Sequence, residues 1–188
     1  TELDAGPVLA RVAVDIDGHD TAASLHDKLA VAAADLLRDQ LGRLLDGELN
    51  AVAQQRDAAT FAPPLSRDEG QMAWQLPAAT LHRHVRAMTP WPGAWSQWEP
   101  GGDRWKLFAE GLSVVTEGGL PGAILRIDEE AVIVACGVGA LRIETLQRPG
   151  KRRMPAAAAL RGARRTEGDQ WYSQGDVLRV PPPAEGPR

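Results

Sequence analysis
The chain has 188 residues, 44% of them hydrophobic and 24% charged, with a net charge of -4. That balance is ordinary for a soluble globular protein of one or two domains and excludes collagen, coiled coil and global disorder. The longest apolar runs, such as Ala131 to Cys136, fall short of the roughly 18 to 20 residues that a bilayer-spanning helix needs, and a single cysteine, Cys136, allows neither an internal disulfide nor a CxxC metal knuckle. These features are expected of a protein of the reducing cytoplasm with no membrane segment.

Pro7 to Ile16 alternates Val8, Ala10, Val12, Val14 and Ile16 with other residues, and period two predicts a half-buried strand. From Thr21 to Asp46 the residues Leu25, Leu29, Ala33, Leu36, Leu37, Leu41 and Leu44 recur at helical spacing. Asp20 or Thr21 can serve as N-cap and Gly47 ends the helix. Asn50 to Trp74 has no sustained period and contains Pro63, Pro64 and Gly70, the marks of a linker. A second helix starts near Pro77, with Leu81, Val85 and Met88 on one face and His82, Arg83 and Arg86 on the other, and stops at Pro90. The pair His82 and His84 is consistent with exposed helix positions.

Five short β-like runs follow, Arg104 to Phe108, Leu112 to Val115, Ala123 to Ile127, Ala131 to Cys136 and Ala140 to Leu146, separated by turn residues. They predict a small barrel. Ala156 to Leu160 fits a closing helical turn, and the patternless end reads as a mobile tail.

Charge is divided along the chain. Residues 1 to 81 hold 6 basic and 13 acidic side chains, whereas residues 82 to 165 hold 13 basic and 8 acidic ones. Within the basic part, the string QRPGKRRMP sets Lys151, Arg152 and Arg153 in a turn, where adjacent cations avoid burial and can meet phosphates. Five of the six tryptophans lie between Trp74 and Trp105. Such rings either fill a core or, beside cations, stack on bases. No HExxH, GxSxG or phosphate-cradling glycine loop is present, so neither a metal site nor a nucleophile is expected. Asp4, just ahead of the first strand, is by itself only a weak candidate for acid–base work.

The strings LDAGPVL, TAASLHDKLA, ATFAPPLSRDEGQMAW, VRAMTPWPGAW, ACGVGALRIETLQ and PGKRRMPAAAALRG occur in this order. Together they resemble the methionyl-tRNA formyltransferase family over nearly Thr1 to Gly162. The resemblance implies an α/β plus all-β architecture. Residues 1–50 would be the end of a doubly wound formyltransferase domain, 51–76 an interdomain linker, 77–162 a small OB-like tRNA-binding β-barrel and 163–188 a mobile tail.

The same resemblance implies formyl transfer from 10-formyltetrahydrofolate to the amino group of methionyl initiator tRNA, without a metal, by a monomer. Of the family's catalytic asparagine, histidine and aspartate, only the aspartate has a counterpart, Asp4. The folate pocket is expected to lie mostly outside this chain, and these 188 residues alone are expected to be inactive. Lys151, Arg152 and Arg153, with Arg83 and Arg86, are the expected tRNA contacts. Two alternatives are an amino-sugar-nucleotide formyltransferase, which should lack the basic surface, and a tRNA-binding module without chemistry.

Overall fold
A computed structural model of the chain describes residues 4–60 and 62–173. The chain divides into two compact units, Thr1–Pro64 and Leu65–Arg188.

The first unit is built on helix α1 (Ala22–Leu45). Thr21 is its N-cap: the Ser24 amide donates to Thr21 Oγ1 at 3.2 Å, and the Thr21 amide donates to Ser24 Oγ at 3.0 Å. This is a reciprocal capping box with serine in the third position. At the other end Gly47 takes φ +72°, the left-handed conformation that glycine supplies at least cost after a helix. Asp20, just ahead of the cap, accepts from Ser24 Oγ, the Asp17 amide and Lys28 Nζ. The Lys28 ammonium and these donors hold its carboxyl down at about 2.

The strand expected over Pro7 to Ile16 does not form. One bridge joins Val8 to Val52, while Val12 and Ile16 are exposed. Alternation provides a face, but a strand also needs neighbouring backbone to hydrogen-bond. Among the described residues only Val8 of this run finds such a neighbour.

The second unit carries two four-stranded antiparallel sheets. The first, in the order β1-β2-β7-β8, consists of Ala94–Ser96, Trp105–Leu107, Thr145–Gln147 and Arg153–Pro155. The second, in the order β3-β6-β5-β4, consists of Leu112–Val115, Ala140–Ile143, Val132–Ala135 and Ile124–Ile127. Helix α2 (Ala78–Ala87) packs on β3 and β6, and helix α3 (Ala156–Arg161) on β7 and β8. One apolar cluster joins them, with Leu107 and Leu146 from the first sheet, Val134 and Leu141 from the second, Leu81 and Val85 from α2, and Leu160 from α3.

The run expected as one strand, Ala140 to Leu146, is broken at Glu144. The Glu144 amide donates to the Gly111 carbonyl and its carbonyl accepts from the Ala156 amide, so the backbone leaves one sheet and enters the other. His84, expected at an exposed position, is instead buried. It sits one turn after Leu81 and Thr80 and one residue before the buried Val85, on the edge of the helix face that meets the core.

The ends expected as linker and tail pack into this unit. Gln71, Met72, Ala73 and Trp74 are buried, with the Met72 amide donating to the Trp95 carbonyl at 2.8 Å and Trp74 Nε1 to Ser96 Oγ at 2.9 Å. Residues 163–173 also lie against the sheets. The Trp171 amide donates to the Gly122 carbonyl and the Tyr172 amide to the Gln97 carbonyl, and the Trp171 ring is 2% exposed. One large ring and a few backbone bonds anchor a segment without any periodic pattern. The remainder of the expected tail, residues 174–188, lies outside the described residues.

Candidate nucleic-acid interface
The basic string forms the β7–β8 hairpin turn. Pro149 and Gly150 occupy its centre, Gly150 at φ +67°, as a type II turn requires at its third position. The Lys151 amide closes the turn on the Arg148 carbonyl at 3.0 Å, and Gln147 Nε2 donates to the Lys151 carbonyl at 2.7 Å. Two ties on one residue fix the geometry from which Lys151, Arg152 and Arg153 project, all exposed.

Register places further cations beside them. Trp95 pairs with Lys106, Lys106 with Gln147, and Gln147 with Arg153, so these four side chains form a row on one face of the sheet. The neighbouring row, Ala94, Leu107, Leu146 and Met154, faces the core. Period two along β2 puts Arg104, Lys106 and Phe108 on the outer face together. The Arg104 guanidinium lies 4.0 Å from the Trp95 ring centroid and the Arg153 guanidinium 3.8 Å from that of Phe108. Each also meets a carboxylate, Arg104 with Asp68 at 2.7 Å and Arg153 with Glu110 at 3.6 Å.

The other expected contacts are placed elsewhere. Arg83 is exposed on α2 and donates to Thr80 Oγ1 at 3.4 Å. Arg86 is half-buried with a covered Nε. Their helix packs on the second sheet. Asp4, in the first unit, is exposed at φ +56°, in a turn whose carbonyls at Asp4 and Gly6 accept from Gln54 Nε2 at 2.8 and 2.7 Å.

The tryptophans are mainly core. Trp74, Trp95, Trp105 and Trp171 are buried, whereas Trp91 is 54% exposed. Cys136 is buried just after β5, and burial pushes its thiol up to about 12, which removes it as a nucleophile at neutral pH. Among the described residues no three His, Cys, Asp or Glu side chains group as metal ligands, and no helix is long and apolar enough to cross a membrane. Arg104 and Lys106 were not among the expected site residues. Their signal was present in the alternation of Arg104 to Phe108, which sends Lys106 outward from two buried neighbours.

Residues 64–164 match the model for the formyl transferase C-terminal domain, and the chain belongs to that family. Its relatives narrow the likeness. The chain is 39% identical to methionyl-tRNA formyltransferase of Magnetococcus marinus over 160 residues, 85% of this chain and 50% of that protein. It is 38% identical to the protein of the same name from Geobacillus thermodenitrificans over 163 residues, 86% of this chain and 50% of that one. The chain therefore spans about half the length of the curated relatives it matches. The fold is also similar to HypX of Aquifex aeolicus, with TM-score 0.61 and 22% identity over 86% of this chain and 28% of that one. A HypX structure in complex with tetrahydrofolic acid aligns with TM-score 0.58 at 22% identity, over 85% of this chain and 28% of HypX.

Proposed function
We propose that this chain serves transfer of a formyl group from 10-formyltetrahydrofolate to the amino group of methionyl initiator tRNA, as part of a monomeric cytoplasmic enzyme, and that its Leu65–Arg188 unit grips the tRNA. The observation that carries the reading is the exposed Lys151–Arg153 turn, held by one backbone and one side-chain hydrogen bond, in a chain 38 to 39% identical to proteins named for that reaction. Three adjacent cations suit phosphate oxygens and give no base readout, so they would set affinity and register. In this reading residues 77–162 play the part of an OB-like module and residues 1–50 that of the end of a doubly wound domain. Arg83 and Arg86 would extend the contact from α2.

The reaction forms a C–N bond between the methionyl amine and the formyl carbon and breaks the bond from that carbon to the folate nitrogen. The attacking amine must be neutral, and the proton that it loses as the amide forms is taken up by the departing folate nitrogen. Asp4 is the residue proposed to take part in that proton movement. Alone it does not fit a folate: it stands on an exposed turn and does not border the open groove of its unit, lined by Ala13, Val14, Ser24, Asp27, Lys28, Val31 and Ala32. The 188 residues alone are proposed to be inactive.

The test measures anisotropy of fluorescein-labelled initiator tRNA against the full chain across a salt series. Binding should weaken with salt by roughly 0.7 to 0.9 in log–log slope per phosphate contacted. Replacing Lys151, Arg152 and Arg153 together by alanine should lower affinity and flatten that slope. Equal affinity in the two proteins would remove the turn from the interface.

A further inference from the structure
We infer that the outer face of the β1-β2-β7-β8 sheet is a phosphate track for an RNA backbone, with Lys106 at its centre, and that Asp68 and Glu110 occupy its two arginine forks until RNA displaces them. The inference rests on the proposed tRNA-binding function and deepens it. Nothing in the family match assigns a role to Arg104, Lys106, Asp68 or Glu110.

The geometry points to phosphate in three ways. The guanidinium carbons of Arg104 and Arg153 lie over the Trp95 and Phe108 rings, 4.0 and 3.8 Å from the centroids. A guanidinium that leans on a ring still has N–H groups to offer, and carboxylate and phosphate oxygens compete for them. The register then spaces the cations. Lys106 and Arg153 stand on either side of Gln147 in one row, two strand spacings or about 10 Å apart at the backbone. Lys151 and Arg152 continue the strip into the turn, so five cations follow this edge of the domain, while the groove on the far side of Arg153 is lined by Glu129, Glu130 and Glu144.

The two carboxylates are weakly held stand-ins. The Asp68 and Glu110 side chains are 75% and 68% exposed, and the Glu110 pair is long at 3.6 Å. Exposed pairs of this kind contribute little to folding. Lys106 is exposed and has no ion pair among the described residues. It therefore meets an arriving phosphate at once, whereas each arginine must first exchange its acidic partner.

The experiment uses the full chain and fluorescein-labelled initiator tRNA at two salt concentrations, with each variant's thermal unfolding measured alongside. Glu110→Gln and Asp68→Asn should each bind about two to five times more tightly than the wild type, the scale of an exposed ion pair. Lys106→Gln should bind about three to ten times more weakly, with a salt slope shallower by roughly 0.7 to 0.9. Neutral or weaker binding by both carboxylate variants, or an unchanged slope in Lys106→Gln, overturns the inference. Lys151→Ala/Arg152→Ala separates the two ideas. If that variant loses affinity while the other three match the wild type, the tRNA reading stands and the track fails. If the wild type does not bind, both fail.

Discussion

Trp171 stacks face to face on Trp98, with ring centroids 3.6 Å apart and planes 17° from parallel. Both rings stand edge-on to Trp105, at 5.5 and 5.6 Å. A residue close to the end of the described chain is thereby built into the centre of the domain. Trp171→Ala should cost about 3 to 5 kcal/mol, the usual loss for deleting a large buried ring, read as a lower urea midpoint at unchanged slope. Trp171→Phe should recover part of it. A loss below about 1 kcal/mol would mean that the ring fills no essential space.

Gly137 lies where two backbones nearly touch. A Cβ there would sit 1.9 Å from the Gln75 carbonyl oxygen, because the Gly137 amide donates to the Trp74 and Leu76 carbonyls at 2.9 and 3.0 Å. Gly137→Ala should destabilise by about 1 to 3 kcal/mol or more, as overpacking against backbone does. Gly118→Ala, where nothing lies within 4 Å, should be neutral or slightly stabilising. Equal midpoints in denaturant for the two variants would refute the contrast.

His84 gives the domain a pH dependence of known sign. Burial pushes its imidazole below the ordinary value of 6.5, and a hydrogen bond with the Gly70 backbone opposes that shift only in part. The folded state thus favours the neutral ring, and at pH values below 6.5 the unfolded state binds more protons. The contribution of His84 is fully present above 6.5 and fades as pH falls from 6.5 through the lower folded value. Denaturation midpoints of wild type and His84→Leu, compared at pH 7.5 and 5.5, should show the wild type losing more over that interval. Parallel losses would sink the assignment.

Cys136 should resist alkylation in the folded protein. Its thiol is buried and pushed up to about 12, so almost no thiolate exists at pH 8. Iodoacetamide should label it only when denaturant opens the domain. Rapid labelling under native conditions would contradict that burial.

Local signals carried much of the fold. Thr21, the leucine spacing and Gly47 marked α1 to within a residue, and Leu112–Val115 matched its run because a short β-branched stretch between turn residues sufficed. What escaped depends on contacts distant in sequence. β1 follows the Pro90–Gly93 turn and β8 emerges from a cluster of cations, so neither shows an apolar period of its own. Pro7 to Ile16 failed in the opposite sense, with a pattern but only one backbone partner. At the interface the cations of the turn were legible as a string. The link from Lys106 to Arg153 runs through β7, however, and register across three strands is written in no local segment.

The passage from β6 to β7 through Glu144 alone leaves no slack between the sheets. Adding one residue there would reverse every side chain after it, turning Leu146, now 1% exposed, outward and Thr145 inward. It would also separate the Ala156 amide from the carbonyl that anchors α3. The largely exposed stretch 116–118 between β3 and β4 belongs to neither sheet and imposes no such phase. Changes in chain length in this domain should therefore accumulate at 116–118 and be excluded at 144.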